Sequence, residues 1–477
     1  MPVTTMHSEY QKNLSKWQRY RDAVSGEDAV KARGETYLPK KSVRQSKDEY
    51  LAYVQRAMYF NASGRTKDGL VGLLDRVQPV VTYPESMQEI IDDVTLDGIS
   101  LAELVRQAED DAITVGRAGV LVDYPTSSDE GSLTLAEYER AGNRPYAKFY
   151  PAEAITNWEE RRVGNRTLTT RIVLHETVYE STPEDEFASE VVERYRVLDL
   201  PDGVYRQRLF ERAGDDRSGE WQVVEEIYPR RAGQHLPYIP FEFIGPRHGL
   251  SGVQKAPIAD LADVNLSHYR TMADLENGRH WCGSPTPVFI GEFSSPDGDE
   301  VTEVRLGSES GIQMTQGSEA MYLEFTGAGL NELREADRQK REMMVVLGAR
   351  ILAPDQRQVE AAETAAIHRA GENSTLASIA NSVSKSITRV MEYLRDWYGA
   401  TGDVGCEINT DFMPAEMSPE ELRETVAAWQ AGALSAPELF ERLQKGEIVR
   451  SDKSYEDHQE EIEAEGPRLG MVGGGLE

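Results

Sequence analysis

Side chains capable of acid–base or metal chemistry are abundant in this sequence, so their spacing is the first question. Of 477 residues, 82 are Asp or Glu. Carboxylates cluster at Asp92-Asp93, Glu109-Asp110-Asp111, Asp215-Asp216, and Asp297 with Asp299. Such groups can hold a divalent ion or divide acid and base roles between them, but in so acidic a chain pairs arise by chance. Glu109, Asp110 and Asp111 lie in a helical pattern, where successive side chains point to different faces, so they cannot all line one site. Pro296-Asp297-Gly298-Asp299 looks like the start of a calcium loop, yet the position of the required glutamate is Ser308, and a hairpin turn is expected instead. The eight histidines form no H-E-x-x-H, and Cys282 and Cys406 form no C-x-x-C. No G-x-x-x-x-G-K-[ST], no G-x-S-x-G elbow and no strand-to-helix G-x-G-x-x-G occurs. No catalytic, cofactor-binding or metal-ligating residue is assigned, no cofactor is expected, and a non-enzymatic role follows.

Composition narrows the class further. Hydrophobic residues make up 39% and charged residues 28%, the balance of a globular protein with two to four packing units at this length. No apolar run approaches the ~20 residues of a membrane-spanning helix; Ala118-Gly119-Val120-Leu121-Val122 is among the longest. Met1-Pro2-Val3-Thr4-Thr5 leads into polar sequence without an apolar core, so the expectation is a cytoplasmic protein or a part of something assembled there. Two cysteines fit a reducing compartment, each more plausibly a small buried residue than a reactive thiol. The net charge of −30 argues against a surface that grips nucleic acid, which needs clustered Lys and Arg.

The elements that would carry any site follow from periodicity. Tyr10, Leu14, Trp17 and Tyr20 mark a helix over 6–25; Tyr50, Val54, Ala57 and Met58 mark another over 48–61. After Gly64 to Leu70 a short apolar helix is expected before Pro79, then two helical segments in 85–117 ending at Gly116. Residues 119–125 read as a buried strand stopped by Pro125. From Tyr146 to Phe243 strand patterns dominate, separated by turns at Pro201-Asp202-Gly203 and Gly214-Asp215-Asp216, and an antiparallel meander is expected. A helix over 257–276, a compact β region to Phe325, a helix over 330–347 and a long helix over 361–398 follow. The last carries Leu376, Ile379, Val383, Ile387, Val390, Leu394 and Trp397 in steps of three and four, with a kink expected at Gly371-Glu372-Asn373-Ser374. Ser418-Pro419-Glu420 and Ser435 with Pro437 and Glu438 are helix-start signals. The fold class is α+β.

Ile239-Pro240-Phe241-Glu242-Phe243, Pro257 to Asn265, His268-Tyr269-Arg270, Ala273-Asp274 and Pro287-Val288-Phe289-Ile290-Gly291 resemble tailed-bacteriophage portal proteins, in particular a portal-like family catalogued as a phage domain of unknown function. The order of elements over most of residues 10–440 resembles them too. The resemblance implies a ring-forming architecture. Its wing would span 1–250, a first stem helix 251–278, a clip 279–326 and a second stem helix 327–352. A tunnel loop would follow at 353–360, the long kinked wing helix and return strand at 361–415, and a short helical crown with a flexible tail at 416–477. It implies a homo-oligomer, typically a dodecamer, at one capsid vertex of the virion, through which double-stranded DNA passes without sequence-specific binding during packaging and ejection. Implied partners are terminase, the head–tail adaptor, and the major capsid and scaffolding proteins. Asp355, Gln356, Arg357 and Gln358 become the candidate tunnel loop. Asp260, Asp263, Asp274 and Glu276 become candidate channel-facing stem residues. Twelve copies at −30 each give about −360, and an acidic wall would lower friction on DNA.

Two other readings remain. One is an acidic metal-dependent hydrolase or nuclease, for which Asp215 or Asp299 would be essential. The other is a capsid-associated adaptor without a channel.

Overall fold

The structure is a computed structural model. It describes residues 2–125, 143–182, 185–214, 219–231, 233–283, 286–290, 317–323, 327–348, 362–410, 412, 419–445, 448–449 and 454–464. It is α+β, and the chain divides into two compact units. One comprises Met1–Gln18, Lys67–Pro257 and Pro354–Glu477; the other comprises Arg19–Thr66 and Ile258–Ala353.

In chain order the first elements are α1 (Ser8–Ser25), α2 (Glu27–Ala32), α3 (Lys47–Arg56), α4 (Ala62–Leu74), β1 (Val80–Thr82), α5 (Gln88–Asp92) and α6 (Leu101–Thr114). The helix expected over 48–61 stops at Arg56, and the short apolar helix expected after Gly64 to Leu70 instead takes in that stretch, since α4 begins at Ala62 and ends at Leu74. At the start of α3, Ser46 and Glu49 form a reciprocal cap: Glu49 N donates to Ser46 Oγ at 3.2 Å and Ser46 N donates to Glu49 Oε2 at 2.8 Å. Gly116, at φ 73°, takes the left-handed conformation just beyond α6 that only glycine adopts readily.

The strands of the first unit form two main sheets. β2 (Ala118–Asp123) and β3 (Tyr146–Pro151) are followed by the antiparallel meander β4 (Ile155–Val163), β5 (Arg166–Thr182), β6 (Asp185–Asp199), β7 (Arg206–Arg212) and β8 (Trp221–Ile227). A short pair, β9 (Arg230–Arg231) with β10 (Gln234–His235), precedes β11 (Phe241–Ile244). The expected single meander from 146 to 243 is therefore divided among two main sheets and the short β9–β10 pair: β3 and β11 leave it and flank β2 in the order β11-β2-β3, with Phe241 opposite Leu121. As the central strand, β2 is buried at every position, so its sequence is apolar without alternation.

The remaining elements are α7 (Ala259–Gly283), β12 (Thr286–Ile290), β13 (Glu319–Leu323), α8 (Ala328–Leu347), α9 (Ala362–Tyr398), β14 (Gly405–Glu407), α10 (Pro419–Gln430), α11 (Ala436–Lys445) and α12 (Tyr455–Ala464). α9 is helical without interruption through 371–374. Leu376, Ile379, Val383, Ile387, Val390 and Leu394 are all at most 4% exposed. This stripe lies on α6 and crosses β2 and β11, while β14 pairs with β1, Cys406 opposite Val81. Trp17, Tyr10, Val115, Leu121, Trp158, Ile172 and Tyr205 lead the main core, with Trp397 packed against it. Arg117 is buried inside the first unit, its guanidinium 4.0 Å from the Trp158 ring and 4.7 Å from Phe243. It donates to the Ser251 carbonyl, and burial lowers its pKa to about 9.

Candidate functional site

The segment that carries the expected stem is built from α7 and α8, both in the second unit. They run antiparallel: Leu330 at the start of α8 meets Gly278 near the end of α7, and Gly348 just past α8 meets Leu261 near the start of α7. The approach is close. A Cβ on Gly278 would lie 2.4 Å from Leu330 Cδ2, so any larger residue there would make the Leu330 side chain turn aside. Met272, Leu275 and Leu330 form the apolar seam, with Leu333 and Cys282 packed on it.

Polar contacts join the two helices along their length. Lys340 Nζ donates to the Ser267 carbonyl at 3.1 Å and to Thr271 Oγ1 at 2.5 Å. His268 is fully buried and its Nε2 lies 2.7 Å from Asp337 Oδ1, with Arg341 3.1 Å from the other carboxylate oxygen. Burial lowers the pKa of His268, and the Asp337 carboxylate opposes that shift. The neutral ring is favoured at pH 7.

The two helices differ in how much of their circumference is covered. α7 is buried on several sides because α3 and neighbouring residues of the second unit also pack on it. Tyr53 O–H donates to Asp274 Oδ1 at 2.6 Å. Arg270 Nε donates to the Tyr37 carbonyl at 2.8 Å. Asn265 Nδ2 donates to the Phe60 carbonyl and its Oδ1 accepts from Ser63 N and Oγ, at 2.8 to 3.0 Å. α8 buries only one line, through Leu330 and Met344, while Met343, Val345, Val346 and Leu347 stand 43–55% exposed. β12 and β13, which follow α7 and precede α8, form a two-stranded antiparallel sheet, Thr286 opposite Leu323. Ile290, Met321, Tyr322 and Leu323 on it are 47–65% exposed.

The expected channel-facing carboxylates fall as follows. Asp260, Asp263 and Asp274 are exposed and, with Arg270, occupy one stripe of α7. Asp263 is paired with Arg19 at 3.0 Å, Asp274 accepts from Tyr53, and Glu276 pairs with Arg279 at 2.5 Å. Part of their charge is thus balanced within the chain. Asp355, Gln356, Arg357 and Gln358 lie outside the described residues, as do Asp215, Asp297, Asp299 and most of 279–326. Sequence reasoning missed the uncovered end of α8, though a signal existed. Met343-Met344-Val345-Val346-Leu347 is five apolar residues in a row, which at 100° per residue must wrap the helix and cannot all face one seam.

For acid–base chemistry, the closest arrangement among the described residues is Glu176 with Asp123, in the first unit. Glu176 accepts from Tyr150 O–H at 2.5 Å, Arg196 Nε at 2.9 Å and Lys148 Nζ at 3.0 Å. Burial pushes its pKa up, but Arg196 and Lys148 outweigh that and hold it down at about 2. Asp123 accepts from Gln207 at 2.8 Å and is raised to about 6 by burial, against the pull of Arg196. The carboxyl pKa values are pushed apart, as in acid–base sites, but both groups are at most 7% exposed. The cluster is a closed network that satisfies buried polar groups. Glu109, Asp110 and Asp111 separate as expected: Glu109 and Asp111 are buried, while Asp110 pairs with Lys67 at 2.6 Å. Among the described residues no group of three His, Cys, Asp or Glu is placed to hold a metal ion.

Residues 257–398 match a family model described as Domain of unknown function (DUF4055). The match runs from two residues before α7 through the end of α9 and takes in α8 and the β12–β13 pair. No curated protein matches the chain in sequence. Among solved structures, the chain is similar to one from the "Virion of native gene transfer agent (GTA) particle", at 12% identity and a TM-score of 0.37, over 89% of this chain and 99% of that one. It is also similar to chains from the "Neck of empty GTA particle computed with C6 symmetry" (12% identity, TM-score 0.39, 80% and 90%) and the "Neck of native GTA particle computed with C12 symmetry" (10%, 0.37, 88% and 99%).

Proposed function

We propose that this chain is the portal subunit of a phage-like particle: a structural, non-enzymatic protein that closes into a ring at one capsid vertex and forms the channel for DNA packaging and ejection. The observation that carries the reading is α8. A 20-residue helix that buries one line against α7 and leaves Met343, Val345, Val346 and Leu347 to solvent is incomplete as part of a lone globule, since contiguous exposed apolar surface marks an interaction site. The β12–β13 pair supports it, because an isolated two-stranded sheet with exposed apolar residues is marginal in water and gains from a neighbour. In a ring, copies of α7 and α8 would surround the axis and cover one another's bare faces.

In this reading α7 and α8 are the stem, the segment between them the clip, 353–360 the tunnel loop, α9 with β14 the long wing helix and return strand, and α10 to α12 the crown. Asp260, Asp263, Asp274 and Glu276 face the channel, and Arg357 touches passing phosphates. The clip receives terminase and then the head–tail adaptor, and the wing meets capsid and scaffolding proteins. The test is assembly. Purified protein is expected as rings of several hundred kilodaltons with a central hole in negative stain. A strict monomer by light scattering across salt and protein concentration overturns the reading.

A further inference from the structure

Arg117, between α6 and β2 in the first unit, is 1% exposed. Its guanidinium lies against two ring faces, those of Trp158 and Phe243, and Nη1 donates to the Ser251 carbonyl. The other edge of the group is differently placed. Nε and Nη2 are both buried, and neither meets an acceptor among the described residues. The group stays cationic at pH 7, since burial lowers its pKa only to about 9. Burial is therefore costly twice over: the N–H groups have lost water, and the charge has lost its hydration. The rings offset part of the charge through their faces, but they accept no hydrogen bond in the plane of the guanidinium, where these two donors point.

Other arginines of the chain show what that edge holds when it is partnered. At Arg33, Arg196 and Arg206, Nε and Nη2 together take the two oxygens of one carboxylate, those of Asp22, Glu176 and Asp199, at 2.7–3.4 Å. This is the side-on, two-donor geometry of arginine. Arg117 presents the same two donors to no such group. The carboxylates that act on it electrostatically are Glu9 and Glu160. Glu9 Oε2 accepts instead from Val253 N at 3.0 Å, and Glu160 is exposed on β4.

We infer that the Nε–Nη2 edge of Arg117 is a binding site for a small oxyanion, a phosphate or a carboxylate whose two oxygens accept from the two donors side-on. An anion answers both needs, since it accepts from the N–H pair and balances the buried charge; a water answers only the first. Ser251, which touches Arg117, is half-buried, and 247–250 are exposed, so solvent lies one side chain away. Bound there, the anion steadies the segment after β11, because Arg117 and Glu9 hold Ser251 and Val253. The site lies within one unit of a single chain, so the inference goes beyond the ring reading and does not depend on it.

Inorganic phosphate and acetate are the probes. Equilibrium dialysis of the full chain at pH 7 and fixed ionic strength, against each labelled anion in turn, is expected to show one saturable site per chain. Competition separates the sources: phosphate displaced by acetate marks a site for any two-oxygen anion, phosphate held against acetate marks a phosphate site, and acetate bound alone marks a carboxylate site. Arg117→Lys keeps the charge and removes the planar pair of donors, and binding about tenfold weaker is expected. Arg117→Met removes both, and binding is lost. Should neither variant fold, hydrogen exchange of the wild type decides: the bound anion is expected to slow exchange of the amides over 251–254 and to leave the β12–β13 pair unchanged. Absence of saturable binding by either anion overturns the site. So does undiminished binding in either folded variant, or exchange over 251–254 that no anion slows.

Discussion

Glu109 and Glu176 show how differently two buried carboxyls behave in one protein. Glu109 is 1% exposed, and burial, with Asp75 nearby, raises its pKa to about 8. A carboxyl whose folded pKa lies above its unfolded value stabilises the fold at low pH and loses that contribution as pH rises from about 4.5 through 8. Glu109→Gln should therefore raise stability at pH 8 by on the order of 2 kcal/mol and flatten the fall in Tm between pH 6 and 8, readable by calorimetry. Glu176 has the opposite sign. Arg196 and Lys148 overcome its burial and hold it at about 2, so its contribution is present above about 4.5 and is lost as pH falls toward 2. Arg196→Met leaves that charge buried with only Lys148 opposite; a loss of about 3–5 kcal/mol is expected in urea unfolding, and a loss under 1 kcal/mol would contradict the network described. His268 adds to the loss on acidification: its folded pKa is lowered, so stability falls once pH drops below about 6.5.

At the scale of elements, α8 separates two kinds of apolar residue on one helix. Met344 is 4% exposed and Val346 is 52% exposed. Met344→Ala should cost about 2–4 kcal/mol of chain stability. Val346→Ser should change the melting temperature of the unassembled chain little, yet lower the assembled fraction. Equal effects of the two on both readouts would remove the argument for an uncovered interface. Gly278→Ala tests the crossing itself. With Leu330 Cδ2 only 2.4 Å from the new Cβ, the Leu330 side chain must repack in the seam, and a loss of about 1 kcal/mol in urea unfolding is expected.

For the molecule as a whole, charge and assembly are linked. A −30 subunit offers few clustered cations for phosphates, so the purified protein should not retain duplex DNA at 0.15 M salt in a filter-binding assay, where a clamp of several phosphate contacts would. Tight salt-sensitive retention would remove the low-friction channel from the proposal.

Local periodicity determined much of what can be read without a structure. The α9 stripe from Leu376 to Leu394, the cap at Ser435, where Glu438 Oε2 accepts from Ser435 N at 3.0 Å, the stop at Gly116 and the strands of β5 to β8 all depend on neighbours a few residues away. The separation of Glu109, Asp110 and Asp111 onto different faces was legible for the same reason. What required the tertiary structure was pairing across long stretches of chain. Alternating or apolar patterns say that a strand exists, not which strand it joins, so β11 beside β2 and β14 beside β1 were unreadable. Asp263 and Asp274 looked like free acidic groups on a helix until Arg19 and Tyr53, more than 200 residues earlier in the chain, were brought against them. The sequence by itself settled the type of the long, strongly periodic segments, because that choice is made within a turn or a pleat, while it misplaced the ends of α3 and α4 and left β1 unread; which faces stay bare, and hence where a neighbour is needed, only the packed chain decides.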